Sequence, residues 1–209
     1  MNIPIDIRGL HPGSLATLSP VLKYWQTLNE IWVGEGDAPW WYNERSSVGL
    51  LSGAIWKNGG WALEEFGTDK LAGPSNKKKT FPGRCDIAFG TDGQDYWGEA
   101  KQCWPTLNGR NNINMVTKSL DRASEQVKSG KERGYEGLAI VFVTPKITKS
   151  TVNRRHIGDY ITNYVDQLKA IQNITLAWTF PARTRYLWPD NGWRDYFFPG
   201  VVMVIRPAK

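Results

Sequence analysis

Three residues define the chemistry that this sequence offers. Asp86 lies in the run Arg84-Cys85-Asp86-Ile87-Ala88-Phe89, and Glu99 and Lys101 lie in Tyr96-Trp97-Gly98-Glu99-Ala100-Lys101-Gln102. Both runs read as strands, and Thr91-Asp92-Gly93-Gln94 joins them. Asp-Gly is a strong two-residue hairpin signal. Counting outward from that turn, Asp86 faces Glu99 and Arg84 faces Lys101. Side chains alternate along a strand, so Glu99 and Lys101 share a face with Asp86. Two opposed carboxylates repel, and the arrangement costs stability unless a cation lies between them; one adjacent lysine offsets only part of the charge. Hard oxygen ligands with room for water suit Mg²⁺, and the backbone carbonyl of Ala100 supplies a further ligand. Lys101 would orient or deprotonate an attacking water, or stabilise a pentacoordinate phosphate. Metal, activated water and cation together outline phosphodiester hydrolysis.

The elements that must position these residues follow from hydrophobic period and turn chemistry. Apolar residues at three- and four-residue spacing predict a helix over Ser19–Trp32, with Ser19 as N-cap and Pro20 at the first position. A second helical pattern spans about Ser46 to Phe66, through Val48, Leu51, Ile55, Ala62 and Phe66, with Asn58-Gly59-Gly60 bending or interrupting it. Residues 67–83 read as an exposed loop with one short strand. After the hairpin, Asn114–Arg133 reads as a helix stopped by Gly134. Leu138–Val143 is a continuous apolar run, suited to a strand buried on both faces. A helix over 153–171, a strand over 174–180, a turn-rich tail over 181–200 and a strand over 201–205 complete the chain. This order describes an α/β domain with a mixed sheet, and no linker divides residues 1–209.

The motif resembles the PD-(D/E)XK nucleases, the family with the restriction-endonuclease-like fold. Its signature is an Asp, about a dozen residues, then Glu-x-Lys at the end of the next strand; here Asp86 is followed by residues 87–98 and then Glu99-Ala100-Lys101. Cys85 replaces the Pro that often precedes the Asp. The resemblance covers residues 46–145 and implies an αβββαβ core with a mixed sheet flanked by helices, here extended by a C-terminal helix and strands. It implies a Mg²⁺-dependent nuclease, with Mn²⁺ able to substitute, in which Asp86, Glu99 and the Ala100 carbonyl hold the metal and Lys101 handles water or transition-state charge. It also implies an acidic residue from the helix before the meander. Glu65 borders the apolar face most closely, Glu64 is the alternative, and Glu44 ranks third. Gln102 sits where related nucleases approach the phosphate, although alternation turns it to the other face. Family members often pair as homodimers.

Composition sets the limits around this reading. The chain has 209 residues, with 26 Lys+Arg against 20 Asp+Glu, a formal charge of +6 that is a mild pointer to a polyanionic partner. Apolar residues at 41% exclude a disordered or fibrous chain. No apolar stretch is long enough for a membrane span. The N-terminal residues lack the pattern of a secretory leader, and two cysteines make no disulfide framework, so a cytoplasmic setting is expected. Lys77, Lys78 and Lys79 form a solvated loop or grip phosphates, and Arg84 leads from them into the hairpin. Cys85 is expected in the core, and His11 and His156 show no metal-ligand spacing. Of the 11 tryptophans, Trp25, Trp32, Trp56 and Trp61 are expected in the core. Trp97 alternates onto the Glu99 face, and Trp104 is placed to stack on an unpaired base. Trp178, Trp188 and Trp193, near Arg183, Arg185 and Arg194, suit single-stranded nucleic acid or an oligomer interface. DNA ranks before RNA as substrate. The rivals are a nucleic-acid-binding or interaction protein on a nuclease-like scaffold, and a glycoside hydrolase using paired carboxylates and tryptophans.

Overall fold

The structure is a computed structural model that describes residues 6–71, 80–107, 109, 112–129, 134–150, 157–186 and 195–208. Among these residues the chain forms a mixed α/β architecture. Strand β1 (Ile7–His11) leads through a short 3-10 segment (Gly13–Leu18) into α1 (Ser19–Gly34), and α2 (Glu44–Lys57) follows. Strands β2 (Trp61–Leu71), β3 (Thr80–Thr91) and β4 (Gln94–Cys103) form a meander, followed by α3 (Asn112–Ser129) and β5 (Glu136–Val143). The remainder comprises β6 (Ile147–Thr148), α4 (Ile157–Lys169), β7 (Thr175–Phe180), β8 (Tyr196–Phe197) and β9 (Val201–Pro207).

Seven strands make one sheet in the order β1-β7-β9-β5-β4-β3-β2, and β6 pairs with β8 separately. Strand β4 runs parallel to β5, and the other neighbours are antiparallel. The parallel pair needs a crossover, which α3 supplies. Helices α1 and α2 cover one face: Val21, Leu22 and Trp25 of α1 and Leu51, Ala54 and Ile55 of α2 pack with Ile87, Phe89, Ala100, Ile140 and Met203. Helices α3 and α4 cover the other, with Leu120, Ala123, Ile161 and Leu168 against Ala139, Val141, Val202 and Val204. Both faces of β5 are therefore buried, which explains its uninterrupted apolar sequence.

The hairpin follows the expected register from its turn as far as Ile87–Gly98, and the expected Asp86–Glu99 and Arg84–Lys101 pairs, which lie beyond that point, are not formed. Thr91 pairs with Gln94 and Ile87 with Gly98, and Asp92 and Gly93 both have positive φ, 50° and 75°. That is the geometry of a type I′ turn, whose twist matches the strands it joins.

Several expectations need correction. The helix expected to run to Phe66 ends at Lys57. Gly59 has φ +79, a left-handed stop that glycine adopts without penalty, and Trp61–Leu71 is a strand. Apolar positions on either side of the stop continue the helical period by coincidence. Residues expected as a loop over 67–83 instead extend β2 and β3, apart from 72–79, which lie outside the described residues. Ser19 does not cap α1, because the 3-10 segment runs straight into it and Leu18 takes the cap position. Strand β1 has no counterpart in the sequence reading; it pairs with β7 at the sheet's margin. Trp32, Trp56 and Trp61 are exposed rather than core, whereas Trp25 is buried. Among the described residues no helix is long and apolar enough to cross a membrane.

Candidate functional site

Asp86 lies at a break in the sheet. The β3–β4 pairing reaches Ile87–Gly98 and stops there. The β2–β3 pairing passes from Glu64–Ile87 to Phe66–Cys85 and omits the intervening Glu65 and Asp86. Glu65 has φ +52, a left-handed conformation that costs a non-glycine residue about 1–2 kcal/mol. Asp86 is thus released from regular pairing on both sides. Its Oδ2 accepts a hydrogen bond from the Ala100 N–H at 2.7 Å, which ties its carboxylate to the centre of Glu99-Ala100-Lys101.

Lys101 turns toward the same oxygens. Its Nζ donates to the Ala100 carbonyl at 2.5 Å and lies 3.8 Å from Asp86 Oδ2. One ammonium therefore occupies the space where a carboxylate and a backbone carbonyl converge. Asp86 and Lys101 remain partly open, with side chains 19% and 27% exposed, so solvent reaches this point.

Glu99 is different in kind. It is buried, and Lys70 Nζ donates to its Oε1 at 2.7 Å. Burial pushes its carboxyl up to about 7; the Asp86 charge adds to that, and Lys70 and Lys101 oppose it. Desolvation here outweighs two nearby cations.

Glu44, the third-ranked acid, lies close enough to Asp86 and Lys101 to feel both charges. It occupies the first turn of α2, where Asn43 caps the helix by accepting from the Ser46 N–H at 3.2 Å. Desolvation raises its carboxyl, as do the Asp86 and Glu65 charges, while Lys101 and the Gln102 N–H lower it. The two glutamates expected from a helix stand on β2. Glu64 is exposed and leans toward α2, its Oε2 near Gly49. Glu65 is held by Arg45 at 3.2 Å and by Arg84 at 3.1 Å. Both arginines are largely exposed, so these pairs contribute little stability, but they engage both oxygens of Glu65.

The remaining expected site residues separate. Arg84 pairs with Glu65 and keeps most of its guanidinium in solvent. The Gln102 amide is turned inward, donating to the Trp40 carbonyl at 3.1 Å and to Thr144 Oγ1 at 3.2 Å; alternation does take it to the opposite face. Trp97 is buried beside Cys85, Ala88 and Val127, so it supports the site from beneath α3 and lines no open cleft. Trp104 is exposed just beyond β4. Lys77, Lys78 and Lys79 lie outside the described residues, as do His156, Trp188, Trp193 and Arg194.

Cys85 and Cys103 are both buried. Cys85 Sγ donates to the Ile87 carbonyl at 3.2 Å, and burial pushes each thiol up to about 12. Both thiols therefore stay protonated near neutrality, which makes them poor nucleophiles.

Lys70 was not foreseen. Nothing local distinguishes it in Trp61–Leu71; only the register that places Thr68 opposite Gly83 shows how its side chain crosses β3. Two clefts, of about 450 Å³ beside Asp121, Ser124 and Arg206 and about 320 Å³ beside His11 and Lys169, include none of the site residues. Among the described residues no group of three or more His, Cys, Asp or Glu is placed to hold a metal ion. No protein-family model, curated protein or solved structure matches the chain.

Proposed function

We propose that this chain is a metal-dependent nuclease that hydrolyses phosphodiester bonds, with DNA as its substrate. The observation that carries the reading is the Lys101 ammonium set against both Asp86 Oδ2 and the Ala100 carbonyl, beside a second, buried carboxylate. Oxygen donors that already draw one cation are the hard ligands that Mg²⁺ prefers. Asp86, Glu99 and the Ala100 carbonyl would hold the ion. Bound there, it would lower the pKa of a water and screen phosphate charge. The order α2-β2-β3-β4-α3-β5 over residues 44–143 supports the same reading, since helix, three-strand meander, helix and strand is the core that the PD-(D/E)XK resemblance implies.

The chain's own groups take separate parts. Asp86 is oriented by the Ala100 N–H. Lys101, no longer needed to neutralise Asp86, would bind the phosphate undergoing attack. Glu44, which feels the charges of Lys101 and Asp86, would accept a proton from the attacking water, a role for which a carboxyl raised above its ordinary range is suited. The break in the sheet leaves the site open at the surface, which suits a long polymer. Arg84 and Trp104 stand exposed for backbone and base contacts.

A second reading, a nucleic-acid-binding protein that does not cut, is favoured by one observation: each carboxylate already has an ammonium partner, Asp86 with Lys101 and Glu99 with Lys70. The two separate on supercoiled, linear and single-stranded DNA and RNA, each incubated with Mg²⁺, Mn²⁺ or EDTA. Divalent-dependent cleavage, lost in Lys101→Ala with binding retained, is the expected result. Cleavage that persists in EDTA overturns the metal-dependent reading, and binding without cleavage under every metal establishes the second.

A further inference from the structure

Lys70 reaches Glu99 by an unusual route. It belongs to β2, Glu99 belongs to β4, and β3 lies between them. Its stem passes over Gly83: a Cβ built on that glycine would lie 2.8 Å from both Cγ and Cδ of Lys70 and 3.2 Å from Cε. Gly83 does not have positive φ, so its missing side chain serves space and not backbone conformation. The Lys70 side chain is 11% exposed. Threaded over a glycine and buried at its end, the ammonium is held in one place and engages Glu99 Oε1 alone among the described carboxylates.

We infer that Lys70 is a positioning residue for the metal site: it fixes Glu99 through Oε1, keeps that buried carboxylate available, and stays bonded to it when a divalent ion takes the other oxygen. This inference rests on the nuclease reading above. The alternative geometry, in which Lys70 is a placeholder displaced by the ion, requires a swinging side chain. The buried stem lying against Gly83 opposes that movement. Groups that orient a metal ligand typically change metal affinity by about 10–100-fold when removed, and Lys70 belongs to that class. Gly83 then has a role at the site although it carries no functional group, since any side chain there would push Lys70 off its path.

The test measures Mn²⁺ binding to the full chain by calorimetry and electron paramagnetic resonance, without nucleic acid. Lys70→Met and Gly83→Ala should each weaken Mn²⁺ about tenfold or more. Because Lys70→Met leaves a buried carboxylate without its partner and can fail to fold, the wild-type protein supplies an independent measurement. With ¹⁵N-labelled lysine, the hydrogen-bonded Lys70 ammonium should give a slowly exchanging signal, recognised by its shift in Gly83→Ala. Persistence of that signal under saturating Mg²⁺ is expected. Loss of the signal on adding Mg²⁺, or unchanged or tighter Mn²⁺ binding in Gly83→Ala, overturns the positioning role and leaves the metal site intact. Wild-type protein that binds no divalent ion overturns both this inference and the nuclease reading.

Discussion

Glu99→Gln offers the most direct physical test of the site, because its effect is a pH dependence rather than a single number. Glu99 is 2% exposed, and desolvation raises its carboxyl from 4.5 to about 7 against the opposing pull of Lys70. In the unfolded chain the group titrates near its ordinary value. Across the intervening range the folded protein keeps a proton that the unfolded chain releases, so stability is complete below about pH 4.5 and is lost as pH rises through 7. At about 1.4 kcal/mol per pKa unit, the loss between pH 4 and pH 8 is about 3 kcal/mol. Gln keeps the shape but cannot ionise, so the variant lacks this slope; the altered contact with Lys70 adds an offset common to all these pH values. Urea unfolding of both proteins in EDTA at pH 4, 6, 7 and 8 measures it. The stability of the variant relative to wild type should grow by about 3 kcal/mol from the lowest to the highest pH, most steeply between about pH 5 and 6.5 and levelling off above 7. Parallel curves would refute the assignment of Glu99 as a buried carboxyl with a raised pKa.

Other expectations concern neighbouring groups. Saturating Mg²⁺ should raise the melting temperature of the wild type more at pH 8 than at pH 6, because a metal takes the deprotonated ligand. Cys85 and Cys103 should resist a disulfide exchange reagent at pH 8 in the native state and react only on unfolding; rapid labelling of the folded protein would contradict their burial. Glu44→Gln should lower metal-dependent cleavage by about 10²-fold or more, the scale of a lost general base, and leave DNA affinity intact; Glu64→Gln should change neither cleavage nor affinity. Glu65→Gly removes two exposed ion pairs but relieves a positive φ, so its melting temperature should not fall, whereas Glu65→Ala keeps the strain and should melt lower.

What the sequence made legible was local. Asp92-Gly93 dictates a two-residue turn, and the turn dictates the register that brings Asp86 toward Glu99-Ala100-Lys101. The apolar run Leu138–Val143 announces a strand covered on both faces. What it concealed depends on distance in the chain. Apolar residues on both sides of Gly59 keep a helical period, which hides β2 and makes Glu64 and Glu65 read as helical. Periodicity identifies which face of α2 is buried, but not which end abuts β4, and Glu44 owes its place to that end. Alternation gave Gln102 the right face but could not reveal that Trp40 and Thr144 would hold its amide. Lys70 could not be found by spacing, because its partner is set by a crossing over Gly83 that exists only once three strands are assembled.

The kink at Glu65 also bears on how the protein behaves at high concentration. Strand β2 is the outermost strand on its side of the sheet, and a long outer strand is a template onto which another chain can add. Trp61, Leu63 and Phe81 are exposed along this margin, which would make such addition adhesive. The left-handed residue interrupts the even spacing of backbone donors and acceptors, leaving only the short stretches 61–64 and 66–71 in regular register. An incoming strand would lose its alignment at the midpoint and meet the Arg45 and Arg84 charges there. The distortion that frees Asp86 from the sheet therefore also guards that margin against self-association.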